Sequence, residues 1–149
     1  MNNLAISKYL ADYAEPGNTF TLDAHYQFSL VIPAYKESAD QVMNTWQNIP
    51  GAPSFLVLLV INSKAARDSE AVRLAEAITR DREHFSPANG LTLARGSAAS
   101  PDILILDRYS TGKTIDSQKG VGLARKLGTD IALCLHHQGI IYSRTLLWI

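Results

Sequence analysis

Three short apolar runs punctuate the chain: FSLVI at 28–32, FLVLLVI at 55–61 and ILIL at 103–106. Each is continuous rather than alternating, which is the pattern of strands covered on both faces, as in a parallel sheet. Helical spacing fills the gaps. Val42, Trp46 and Ile49 recur at i, i+4 and i+7 before Pro50 and Gly51 stop the helix. Val72, Ala75 and Ile78 recur at i, i+3 and i+6, and SPANG at 86–90 closes that segment. A polar loop at 107–117 follows the third run. Beyond it Leu123, Leu127, Ile131 and Leu135 form one stripe along a helix over about 120–138. A fourth apolar run, LLWI, occupies 146–149. Strands are therefore expected near 28–33, 55–61, 102–107 and 145–149, with helices between them. Such alternation predicts an α/β fold, a parallel sheet with helices on both faces and right-handed crossovers. Residues 1–26 stand outside this rhythm as an N-terminal extension to the unit at 27–149. There, Leu4, Tyr9 and Tyr13 predict a short amphipathic helix against the sheet edge.

Composition narrows the classes. The 149 residues fit one domain, and their 46% hydrophobic content is enough for a sizeable core. Lys and Arg, 14 together, balance 14 Asp and Glu, which argues against a general binder of nucleic acid or anionic membrane. The single cysteine, Cys134, excludes an internal disulfide framework. The opening MNNL lacks the basic residues and apolar run of a signal peptide. The longest aliphatic run is far short of the ~20 residues that span a bilayer. The expectation is a soluble protein of a reducing compartment, cytoplasmic, without a membrane span.

Several short motifs carry less chemistry than they suggest. STGKT at 110–114 ends like a phosphate-binding loop, but Asp107 stands where the first glycine belongs, and a carboxylate there repels phosphate. GVGLAR at 120–125 imitates a dinucleotide fingerprint, yet Arg125 replaces its third glycine and no strand directly precedes it. Cys134, His136 and His137 cluster near a helix end, but adjacent helical side chains diverge by about 100° and cannot all face one ion. No serine sits on a nucleophile elbow.

What remains lies at the carboxyl ends of the predicted strands, where open α/β sheets bind ligands. PAYKE at 33–37 follows the first strand, Asn62 and Ser63 the second, and Asp107, Arg108 and the loop through Lys119 the third. Glu37 and Ser38 also suit the start of a helix. Together these residues describe a polar crevice in which Lys119, Arg125 and a helix N-terminus meet a diphosphate.

Two stretches then resemble a family. VIPAYKE at 31–37 resembles the "VIPAYNE" strand-turn that opens inverting family-two glycosyltransferases of the GT-A type. GVGLARKLG at 120–128, with Ala132 following, is similar to that family's "GxxxARNxG…A" helix. LLWI at 146–149 resembles the strand that leads to the family's metal-binding Asp-x-Asp, and the chain ends where that motif is expected. The resemblance covers about 28–149 and implies the nucleotide-binding half of a Rossmann-like GT-A domain, truncated before the acidic motif. Carried over by position, Pro33, Ala34, Tyr35 and Glu37 would line the nucleoside pocket, Arg125 would approach the base or diphosphate, and Lys119 and Gly120 would border it. Two departures matter: Asn62 replaces the usual acidic residue that contacts the base, and Lys126 replaces the usual Asn after the Arg. The stretch at 133–144 is also longer than the common form.

The implied function is transfer of a sugar from a nucleotide-diphosphosugar to an acceptor hydroxyl. A divalent metal, Mg or Mn, would neutralise the leaving diphosphate in the full-length enzyme, and a carboxylate base would deprotonate the acceptor. No residue here matches a catalytic or metal position of the family, so this chain is expected to bind the donor nucleotide, hold no metal and transfer nothing alone. The alternative class is a non-catalytic nucleotide-binding or interaction module lacking the acceptor half. An uncovered apolar strand at 146–149 adds the expectation of a homodimer through that strand.

Overall fold

The computed structural model describes residues 3–14, 20–50, 54–116, 118–143 and 146–148. In chain order its elements are α1 (Asn3–Asp12), β1 (Phe28–Ala34), α2 (Ala39–Asn44), β2 (Phe55–Asn62) and α3 (Ser69–Thr79). Then follow β3 (His84–Phe85), β4 (Leu91–Ala94), β5 (Asp102–Arg108), α4 (Gly120–His137) and β6 (Leu146–Trp148). All four expected strands form, within a residue or two of their anticipated ends.

The strands make one six-stranded sheet in the order β3-β4-β5-β2-β1-β6. The four strands read from the apolar runs lie parallel, with Leu30 opposite Val57 and Val57 opposite Ile103. The sheet as a whole is mixed, which corrects the expectation of a purely parallel one. After α3 the chain reverses through 86–90 and Gly90, at φ +79°, turns it into β4, which runs antiparallel to β5. The two-residue β3 pairs antiparallel outside β4.

Burial explains the continuous runs. All eight residues of β2 are buried, because strands flank it and helices cover both faces. On one face Leu30, Ile32, Val57 and Leu59 pack against Val42 and Trp46 after β1, and against Leu74 and Ile78 of α3. On the other face Val31, Leu58 and Leu104 meet Ile131 and Leu135 of α4. That helix lies close to the sheet. A Cβ at Gly128 would stand 2.5 Å from Val31 Cγ1 and 3.3 Å from Val60 Cγ2, so only glycine fits the contact as it is built.

Three expectations need adjustment. The buried stripe of α3 is Ala71, Leu74 and Ile78, with Val72 and Ala75 only partly buried on its flank. The helix after β1 stops at Asn44. The Thr45 hydroxyl donates to the Val42 carbonyl at 2.6 Å, and the chain tightens into i→i+3 bonds that still deliver Trp46 to the core. The N-terminal helix forms, but it packs on α4 rather than on the sheet edge. Ile6, not Leu4 or Tyr13, is its buried anchor. Tyr9 donates to the fully buried Asp130 carboxylate at 2.6 Å, and Lys126 donates to the same group at 2.9 Å. Leu22 and Tyr26 also enter the core beside α4, so the segment before β1 is part of the packed body. No helix among the described residues is long and apolar enough to cross a membrane.

Candidate ligand cavity at the carboxyl rim

From β1 the chain steps outward to β2 and β5, and β6 is then laid on β1's other side. Strand order therefore reverses at β1, and open α/β sheets bind ligands at such a reversal, outside the strands' carboxyl ends. A cavity of about 310 Å³ opens on this rim. Pro33, Tyr35 and Glu37 line it from β1 and its turn, Asn62 and Lys64 from the end of β2. The remaining wall is Ile115 and Asp116 of the loop after β5, with Gly120 and Val121 of α4.

Local sequence builds each wall. Lys36 takes φ +55°, a left-handed conformation uncommon outside glycine, and bends the chain sharply between Tyr35 and Glu37. Ser38 then caps α2. Its hydroxyl accepts from the Gln41 amide at 3.2 Å, and the Gln41 side chain accepts from the Ser38 amide at 2.8 Å. The capping role that Glu37 also suited thus falls to Ser38, and Glu37 faces the cavity. Burial alone raises the Glu37 pKa above the usual carboxylate range.

The Tyr35 ring carries two ammonium groups, Lys36 Nζ at 5.6 Å and Lys64 Nζ at 5.7 Å from its centroid. Ile115 is the buried floor, its amide donating to the Ser63 carbonyl at 3.3 Å. Helix α4 begins uncapped: Lys119 makes no side-chain cap bond, and the first turn holds no acidic residue. The Lys119 and Gly120 amides donate to the Asp116 carbonyl at 3.0 and 3.1 Å, which leaves the amides of Val121 and Gly122 as the first-turn donors without a carbonyl behind them in the helix. Gly120, at φ +41°, leaves open space where a Cβ would stand. Asn62 is 7% exposed, and its Oδ1 is buried with no hydrogen-bond partner.

Of the residues anticipated from sequence, Pro33, Tyr35, Glu37, Asn62 and Gly120 meet in this cavity. Ala34 does not. It alternates to the opposite side of the strand and is buried in the core beneath α2 and α3. Lys119 and Arg125 are exposed and outside the lining, Arg125 because it lies more than a turn along α4 from Gly120. Sequence reading singled out neither Lys64, Ile115 nor Val121, and offered Asp116 only as a carboxylate by residue type. Ile115 carried a signal, being the one aliphatic residue in the polar stretch 109–119.

The other motifs resolve into structural roles. Lys113 Nζ donates to Asn89 Oδ1 at 3.2 Å and lies 4.0 Å from Asp107, lining a separate cavity beside α3 rather than cradling phosphate. His136 Nδ1 bonds the Ile141 carbonyl at 2.8 Å, and His137 Nε2 lies 3.3 Å from Ser7 Oγ. Among the described residues no group of three or more His, Cys, Asp or Glu is placed to hold a metal ion. The ligand cavity itself offers only Glu37 and Asp116 as carboxylates, so the divalent metal implied by the resemblance has no cage among them. The chain matches no protein-family model, no curated protein and no solved structure.

Proposed function

We propose that this cavity binds the nucleoside diphosphate of a nucleotide-diphosphosugar, the donor-binding role of a GT-A type glycosyltransferase. The observation that carries the reading is the convergence, at one strand-order reversal, of the Tyr35 ring, the Lys64 ammonium, the buried Asn62 amide and the first turn of α4, with Lys36 reaching the same ring from outside the lining. Tyr35, Pro33 and Val121 supply an apolar surface for a planar base. Lys36, Lys64 and the first turn of α4 supply positive charge for the diphosphate. Transfer itself would form a bond from the acceptor oxygen to the anomeric carbon as the diphosphate leaves. That step also needs a base for the acceptor hydroxyl proton, a role this reading assigns to no residue. Binding without transfer, the non-catalytic module, is the second reading.

Calorimetric titration of the chain with nucleoside diphosphates and with pyrophosphate, each with and without Mn²⁺, tests the proposal. The expected result is nucleotide binding that Mn²⁺ changes little and that Lys64→Ala weakens severalfold. No binding of any nucleotide at millimolar concentration overturns it. Strong dependence on Mn²⁺ would show a metal cage that Glu37 and Asp116 alone do not provide.

A further inference from the structure

A second cavity, of about 320 Å³, lies beside α3 and shares no lining residue with the first. Helix α3 packs on β2, and among the described residues no further helix follows on that face of the sheet over β5 and β4. Thr92 is the Cα partner of Ile105, and Asp107 stands two residues beyond it, so all three project to the face where Ile105 joins the α3 core. Ile105 and Ala75 give the cavity an apolar floor. The groups around that floor are polar: Glu76 and Thr79 one turn apart on α3, His84 and Ser86 from the edge of the sheet, and Lys113 from the loop after β5.

We propose that this cavity is a separate ligand site for one neutral, polyhydroxylated ring, and the inference stands apart from the nucleotide reading. The bonds already made inside the protein define what is left for a ligand. Asp107 is occupied: Oδ1 accepts the Tyr109 and Ser110 amides at 2.9 Å each, and Oδ2 accepts the Ser110 hydroxyl. Thr79 and Ser86 donate to the Ala75 and Ala88 carbonyls at 3.0 and 2.7 Å, which leaves their oxygens free to accept. His84 Nδ1 lies 3.0 Å from the Arg82 carbonyl and so carries its hydrogen, which makes Nε2 an acceptor in the neutral ring. Lys113 has three N–H groups, of which one meets Asn89 and one faces Asp107. The Thr92 hydroxyl and the Glu76 carboxylate make no hydrogen bond or ion pair among the described residues. An anion here would meet two carboxylates against one ammonium. A cation would meet that ammonium and find Asp107 already bonded. A hydroxyl both donates and accepts, so a ring of hydroxyls answers Lys113, Glu76 and His84 alike while its C–H face rests on Ile105 and Ala75. The volume is at the low end of small-molecule sites, which run from about 300 Å³, and suits one ring rather than a chain of them.

The test is an amide NMR titration of the chain with glucose, galactose and myo-inositol as neutral probes, and with glucuronate and glucosamine as charged ones. At least one neutral probe should shift the amides of Gly90, Thr92 and Tyr109 saturably at millimolar concentration, and both charged probes should bind more weakly than it does. Thr92→Val keeps the shape of the side chain and removes its hydroxyl. It should weaken that binding about threefold to tenfold. A thermal melt confirms that the variant folds, and Glu76→Ala, on the exposed side of α3, replaces it if it does not. Any affinity for nucleoside diphosphates at the first cavity should be unchanged in either variant, so the two sites stand or fail separately. No saturable shift at those amides with any neutral probe overturns the inference. So does a charged probe that binds tighter than all three, or an unchanged affinity in the folded variant.

Discussion

Glu37 is the residue whose surroundings say most about how the cavity behaves. Its carboxyl is raised by burial, so the folded chain holds a proton at pH values where the unfolded chain has released it. Stability from this group is full below the ordinary carboxylate range and is lost as pH rises through the raised folded value. Glu37→Gln removes the titration. The variant should gain stability relative to the parent as pH rises from 4 to 7, read as a widening difference in melting temperature. A difference that stays flat with pH would show that Glu37 ionises freely in the fold.

At the scale of elements, the close seating of α4 on β1 and β2 turns on Gly128. Alanine there drives its Cβ into Val31, a stiff β-branched side chain that is fully buried. Gly128→Ala should cost about 1–3 kcal/mol in denaturant unfolding, the usual range for overpacking a core. Adding Val31→Ala should recover part of that loss, so the double variant is less destabilised than the sum of the singles. Full additivity would mean the helix simply lifts.

The same elements show what was legible in the sequence. β1, β2 and β5 were readable because strands buried on both faces carry near-continuous apolar runs, four residues long in β5 and seven in β2, with Ser29 the polar exception inside β1. β3 and β4 were not. His84 and Phe85 are both exposed, and β4 spans four residues with one side chain half-buried, too short for a period to show. Their place on the sheet is set by pairing with β5, which no local pattern reports. Half of the candidate site was legible for a similar reason: strand ends locate a rim, but a loop such as 107–119 reveals its cavity-facing residues only once folded. Lys119 and Arg125 drew attention by charge, and charge alone does not say on which side of a helix a residue stands.

For the whole molecule, the pairing of β1 with β6 joins residues 29–31 to residues 146–148, more than a hundred positions along the chain. Contacts so distant along the chain form only after the loop-closure entropy of everything between has been met. β2 is the contrary case, paired on both sides by β1 and β5 and buried along its whole length. Amide hydrogen exchange should follow that gradient: the amides of β2 exchange only through global unfolding, and those of β6 exchange through a cheaper local opening. Equal protection of the two strands would mean that β6 is locked in as firmly as the centre. If the gradient holds, the strand-order reversal is also a seam in time. The β6 side of that reversal closes late as the chain folds and opens first once it has, whereas the cavity is walled from the β1, β2 and α4 side.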